Sequence, residues 1–397
     1  MAVLMPFKGR YEELSWTPDF AKSGRHNKAK RYRAFFPANI ADADPSLSGS
    51  TAALAERASR AVSDLNKTPQ NLVSLEGLAR QLLRSEALAS SQIEGLSVSH
   101  KKLAEAELED RQGHHRATEI MGNIRAMERA MAIGTAAKDL TVTDLCEIHA
   151  EMAIVPPLDK IAGQLREEPS WIGGIAPPDA DYVGPPHELV EPLLKDLCTF
   201  MNRDDVPPVP QAAIAHAQFE SIHPFGDGNG RVGRCLIHVL FWRRKLAQRY
   251  VPPVSLVLGA NKDAYIAGLK RFGEGNVDLW ISQFARSVET AADQAAQFSG
   301  QVIELQANWR DRLGRVRSDA AVLPLINLLP KYPVITAAVA EKEIGRSRQA
   351  TLTALERLGD ADVLTRHRNQ KQGDSWEAKE LFKLLAQFEA AVKLPTE

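Results

Sequence analysis

Between His223 and Arg234 the chain reads HPFGDGNGRVGR, which brings one imidazole, one carboxylate, four glycines, an asparagine and two guanidinium groups into twelve residues. That mixture packs poorly and suits a phosphate site. An unperturbed imidazole titrates near pH 6.5, so His223 fits a general base at neutral pH. Asp227 lies among donors, where a carboxylate serves chiefly to hold a hard cation. Mg²⁺ typically takes one or two carboxylates together with phosphate oxygens and water, so one Asp suffices. Gly226, Gly228 and Gly230 can adopt positive φ, turning successive backbone N–H groups toward one anion. Arg231 and Arg234, three residues apart, can both reach oxyanions bidentately.

The flanking sequence supplies the elements that must aim these groups. From Pro210 to Ile222 the apolar residues Ile214, Ala215, Phe219 and Ile222 recur at helical spacing. Pro224 disfavours helical geometry at the residue before it, so His223 is expected in a loop mouth at the helix end. Val232, Cys235, Leu236, Val239 and Leu240 then begin a second helix, whose N-terminus offers free N–H groups and the positive end of its dipole. No Gly-Lys-Ser/Thr follows the glycines, which excludes a Walker A loop, and a leading helix argues against a dinucleotide-binding fingerprint. The chemistry implied is removal of a proton from a hydroxyl while metal, loop and arginines hold a nucleotide for in-line attack. No covalent enzyme intermediate is required.

The same string satisfies every position of HPFx(D/E)GNGRxxR, and the chain thereby resembles the Fic family. The resemblance implies an all-α fold: a Fic-type helical core with a small β-hairpin flap, here followed by a C-terminal winged-helix domain. It further implies a protein adenylyltransferase that moves AMP from ATP to Ser, Thr or Tyr hydroxyls of proteins, itself included. In that family the residues matching His223 and Asp227 are the general base and the Mg²⁺ ligand. Those matching Gly228, Asn229, Gly230, Arg231 and Arg234 hold phosphates.

Further matches extend the resemblance. Gly163-Gln-Leu-Arg166, Ser170-Trp171-Ile172-Gly173-Gly174 and Tyr182-Val-Gly-Pro-Pro186 look like the family's flap. The residues themselves, rich in Gly and Pro with short Trp/Ile and Tyr/Val runs, suggest a hairpin whose edge could align an extended target; an ordinary surface loop is the alternative. Leu165 stands where many relatives carry an aromatic residue. Asn261-Lys-Asp-Ala-Tyr265 resembles the segment whose tyrosine lines the adenine pocket, and Tyr265 could equally be a half-buried helix residue.

A second feature lies far upstream. Leu75, Leu78, Leu82 and Leu83 mark an amphipathic helix running to Glu94 with Gly95 as its cap. A glutamate there faces the negative end of the helix dipole, a mismatch of about 0.3–1 kcal/mol, so a cationic partner is expected. Ser90-x-x-x-Glu94-Gly95 matches the family's (S/T)xxxE(G/N) inhibitory motif. By resemblance, Glu94 pairs with Arg234 and obstructs the seat of the ATP γ-phosphate. A solvated surface glutamate is the alternative.

Composition bounds the rest. The 397 residues carry a net charge of −1 and three widely spaced cysteines, Cys146, Cys198 and Cys235. Nothing global points to nucleic acid or membrane, no zinc spacing is present, and a reducing compartment, the cytoplasm, is expected. Three blocks are expected: residues 1–105, irregular and basic around Lys22 to Arg33 and then helical; a core over 106–315; and 320–397. Core helices are expected near 117–134, 143–153, 187–203, 210–222, 230–248 and 277–312. In the last block Val334-Ile-Thr336, a short helix, a turn at Gly345, a helix from Ser347 to Leu358 and a strand with a basic wing over Thr365–Lys371 resemble a winged helix-turn-helix. Residues 321–397 hold eleven Lys/Arg against ten Asp/Glu, so DNA binding is weakly supported and protein docking or a homodimer contact competes with it. The rival function is a DNA-binding regulator with a nucleotide-sensing core. Within the enzyme class, transfer of UMP, phosphocholine or phosphate, or removal of AMP, remains open.

Overall fold

The computed structural model describes residues 6–17, 29–67, 75–109, 115–317, 320–368 and 373–391. The chain opens with two strands, β1 (Arg10–Trp16) and β2 (Lys30–Phe36), paired antiparallel with Arg10 opposite Phe36 and Trp16 opposite Lys30. The expectation of an irregular, basic start is corrected here. Tyr32, Ala34 and Phe36 alternate toward Val183, while interleaved Arg31 and Arg33 disguise the two-residue period as a charge run. Residues 22–28 lie outside the described residues.

Helices α1 (Gly49–Asn66), α2 (Leu75–Ile93), α3 (His100–Glu109), α4 (His115–Thr135) and α5 (Val142–Met152) follow. A short hairpin, β3 (Trp171–Ile172) and β4 (Tyr182–Val183), then precedes α6 (Val190–Met201), α7 (Pro208–Ile222) and α8 (Asn229–Arg243). Next come α9 (Val254–Ala260), α10 (Lys262–Gly273), α11 (Val277–Arg312) and α12 (Val322–Leu328). The chain ends with β5 (Val334–Thr336), α13 (Ala337–Ile344), α14 (Arg348–Asp360), β6 (Thr365–His367), β7 (Ser375–Glu377) and α15 (Lys379–Ala391). The protein is mainly helical with small sheets, as the sequence leads one to expect. Among the described residues no helix is long and apolar enough to cross a membrane.

Two compact units emerge. The first comprises Met1–Ser59, Arg125–Leu246 and Lys262–Arg286. At its centre lies α7, apolar on nearly every side: Ala212, Ala213, Ile214, Ala215, Ala217, Phe219 and Ile222 are all wholly buried. A helix without a polar stripe belongs inside a core. Its alanines allow close approach, and α8 packs along it with Val232, Cys235, Leu236, Val239 and Leu240, also wholly buried. Each large apolar side chain so enclosed stabilises the pair by about 1.5–3 kcal/mol. This antiparallel pair fixes both ends of the loop that joins it, and α5, α6 and α10 pack around it.

The second unit comprises Arg60–Ile124, Ala247–Asn261 and Ser287–Glu397. Here α2 lies against α9: the buried Glu86 carboxylate accepts from the Ser255 amide at 2.8 Å and the Ser255 hydroxyl at 2.6 Å. Ile93 approaches Gly259 so closely that a Cβ there would stand 3.2 Å from its Cγ1. A continuous core joins Leu78 and Leu82 of α2, Phe298 and Trp309 of α11, and Leu325, Ile335, Leu355, Trp376 and Leu381 from the C-terminal elements. Those elements build a three-stranded antiparallel sheet in the order β5-β7-β6. The Ser347 side chain caps α14, Thr336 caps α13, and Gly345 at φ +61° closes α13. Of the expected wing, residues 369–371 lie outside the described residues.

Candidate active site

α7 ends where Pro224 requires, and His223 takes the left-handed conformation with φ 50° and ψ 62°. For a residue with a Cβ this costs roughly 1–2 kcal/mol. Arg166 holds it there. Its Nε donates to the His223 carbonyl at 2.8 Å, its Nη2 to Pro185 O at 2.6 Å, and its backbone N–H to Pro224 O at 2.9 Å. Burial lowers the pKa of this guanidinium to about 10, which leaves it charged at neutral pH. The imidazole is fixed as well: Nδ1 lies 2.6 Å from Ser170 Oγ and 3.2 Å from Asn229 Nδ2.

Asn229, the first residue of α8, closes the loop on itself. Its Oδ1 accepts from the Phe225 amide and its Nδ2 donates to the Phe225 carbonyl, both at 2.8 Å. The Phe225 ring stacks on His149 of α5 with centroids 3.9 Å apart. Gly163 N–H donates to His149 Nδ1 at 3.0 Å, so the other nitrogen carries the hydrogen and reaches Asp227 O at 3.1 Å. Burial, and then the nearby Arg231 charge, push the His149 pKa down to about 4. Sequence reading missed this residue. Its signal was a histidine on the apolar face Leu145, Ile148 and Met152, a pattern that normally marks a packed helix.

Of the three loop glycines only Gly228 is left-handed, at φ +79°. Gly230 lies within the first turn of α8, and Gly226 does not take positive φ, so the expected run of three turned amides is corrected to a single turned residue followed by a helix N-terminus. Gly228 is also the point of closest packing, since a Cβ there would meet Met152 Cε at 2.1 Å. Asp227 is 63 % exposed and 3.8 Å from Arg231 Nη2. Arg231 is 4 % exposed, and its Nε and Nη1 have no hydrogen-bond partner. Arg234 is buried beside His216, whose pKa burial and that charge together lower to about 3.

His216 leads to Tyr265. The tyrosine hydroxyl bonds His216 Nε2 at 2.9 Å, and its ring packs against Trp280, whose Nε1 donates to Ala213 O. Tyr265 is therefore a fully buried core residue of α10. In the hairpin, Trp171 and Ile172 pair with Val183 and Tyr182 and are exposed, while Gly173 and Gly174 turn at φ +75° and +63°. Gly174 needs to be a glycine on a second count, because a Cβ would stand 2.3 Å from Asp179 O. In the second unit, α2 stops at Ile93, one residue before the expected end, and Gly95 follows at φ +84°. Ser90 is buried and Glu94 exposed.

Among the described residues no cluster of three or more His, Cys, Asp or Glu could hold a metal. The exposed Asp227 fits a different kind of site, in which one carboxylate shares Mg²⁺ with the phosphates of a nucleotide.

Comparison with known proteins places the loop in a wider group. Residues 139–241 match the Fic/DOC family and residues 52–132 the Fic/DOC family N-terminal region. Proteins named protein adenylyltransferase Fic from Drosophila erecta and Drosophila melanogaster are each 30% identical over 179 residues, 44% of this chain and 33% of theirs. The chain thus spans about a third of the length of these relatives. The fold is also that of a Fic family protein from Desulfovibrio desulfuricans G20, with a TM-score of 0.51 and 19% identity, over 84% of this chain and 97% of that one. The chain thus carries a Fic/DOC match over residues 139–241 and a match to that family's N-terminal region over residues 52–132.

Proposed function

We propose that this protein is an adenylyltransferase that moves AMP from ATP to Ser, Thr or Tyr hydroxyls of proteins, its own included. The observation that carries this reading is the buried Arg231 guanidinium, whose Nε and Nη1 lack a hydrogen-bond partner, on the helix that begins next to Asp227 and His223. Leaving such donors unmatched is costly, and an oxyanion supplies the match. The name borne by the Drosophila relatives supports the same activity.

In this reading His223 takes the hydroxyl proton as the oxygen attacks the α-phosphorus. The bond from that phosphorus to the bridging oxygen breaks, pyrophosphate departs with the electron pair, and the imidazolium later releases its proton to solvent. Asp227 would hold Mg²⁺, which when bound offsets phosphate charge. Amides at the start of α8, Gly228 to Gly230, and the guanidinium groups of Arg231 and Arg234 receive the phosphate oxygens. The exposed β3 edge with Trp171 and Ile172 aligns an extended target segment by strand addition. Glu94, in the matched inhibitory motif, restrains the reaction.

Wild type, His223→Ala and Glu94→Gly incubated with α-³²P-ATP and Mg²⁺ test this. Label should enter protein with wild type, rise with Glu94→Gly and vanish with His223→Ala. Label arriving only from γ-³²P-ATP would mean phosphate transfer and refute the assignment. An unchanged rate for Glu94→Gly would refute the restraint.

A further inference from the structure

The hydrogen bonding around His223 Nδ1 is asymmetric, and the asymmetry bears on which ring nitrogen can act as a base. Two side chains meet that atom, Ser170 at 2.6 Å and Asn229 at 3.2 Å. Asn229 can only donate to it. Its amide is oriented by Phe225, whose N–H needs Oδ1 and whose carbonyl needs Nδ2; turning the amide over would set donor against donor and acceptor against acceptor. Asn229 therefore favours a bare Nδ1, and with it a hydrogen on Nε2. A ring in that tautomer has no lone pair at Nε2 with which to take a proton.

Ser170 is the counterweight. A hydroxyl both donates and accepts, so it can receive a hydrogen bond from Nδ1–H, which Asn229 cannot do. It is placed to do so: Ser170 is 8 % exposed, its carbonyl accepts from Gly184 N–H at 3.0 Å, and it directly precedes β3. We infer that Ser170 is a positioning residue for His223, holding the tautomer whose lone pair is on Nε2 and stabilising the imidazolium once the proton has been taken. The inference rests on the reading of His223 as base. It also links the two halves of the site, because Trp171 and Ile172, on the edge proposed to align the target, are the next residues along the chain. A target seated on β3 would then meet a ring already in its reactive form.

Imidazole ¹⁵N–¹H correlation spectra of the full chain test this without needing catalysis. His223 signals are assigned among the ten histidines by comparison with His223→Ala. Wild type should show hydrogen on Nδ1, and Ser170→Ala should transfer it to Nε2 while the other histidine signals, unmoved, report an intact fold. The same variant should lose roughly ten- to a hundredfold in kcat for AMP transfer with KM for ATP unchanged, and Ser170→Thr, which keeps the hydroxyl, should restore both spectrum and rate. Identical His223 tautomers in wild type and Ser170→Ala would overturn the inference whatever the rates. Absence of AMP transfer by wild type would tell instead against the proposed function, with the spectra still deciding the role of Ser170.

Discussion

A guanidinium that is buried and partly unsatisfied is a costly group to fold, and Arg231 is such a group. Arg donors form strong charge-assisted hydrogen bonds with phosphate oxygens, and Nε and Nη1, which donate in different directions, are each left for an oxyanion oxygen to match. Arg231→Ala should weaken ATP binding by roughly ten- to a hundredfold, read by titration calorimetry. Arg231→Lys should restore little of it, since a single ammonium cannot place donors at both of those positions. Equal affinity in wild type and Arg231→Ala would remove this residue from the phosphate site. At the same scale, His149 shows how a residue can shape chemistry without facing it: its hydrogen bonds join Gly163 to the Asp227 carbonyl, and its ring backs Phe225.

At the scale of elements, the site is the junction between α7 and α8, and its shape follows from how tightly the junction packs. Gly228 combines a left-handed backbone with direct contact against Met152 of α5. Gly228→Ala should destabilise the chain by roughly 1–3 kcal/mol in chemical denaturation and lower nucleotide affinity together with it. Measured against Met152→Ala alone, the added Gly228→Ala should cost only the backbone part, so no added cost in that background would show that φ carries none here. A comparable close fit controls the end of α2, where Gly259 of α9 gives way to Ile93 and Ser255 binds Glu86. Glu94 follows directly, so its position is set by these contacts more than by the helical propensity of its own sequence.

For the molecule as a whole, buried neutral histidines make stability depend on acidity. His216 is wholly buried and its folded pKa of about 3 lies below the unfolded value of about 6.5. Above pH 6.5 both states are neutral and nothing is lost. As pH falls below 6.5 the unfolded chain binds a proton that the folded chain refuses, so stability declines toward the folded pKa, by up to roughly 3 kcal/mol between pH 6.5 and 4. His149 acts with the same sign. Thermal midpoints measured across this window should fall with acidification in wild type and fall less steeply in His216→Gln. Parallel slopes would exclude His216 as a source of acid sensitivity.

The sequence by itself determined the elements on either side of the candidate site and suggested its chemistry. His, Asp, Gly and Arg at those spacings imply a phosphate site whatever surrounds them, Pro224 alone forces His223 out of its helix, and the apolar period of α7 and α8 is local information. It could not reveal the opening β-hairpin, because Lys and Arg between the inward-facing residues mimic a solvated charge run. Nor could it show which loop glycine turns, that His149 supports the loop, that Tyr265 belongs to the core, or that Ser170 meets His223 across 53 positions of chain. Those facts arise from contacts between residues distant in sequence, where burial and the need to satisfy every polar group choose among conformations that the local residues permit equally.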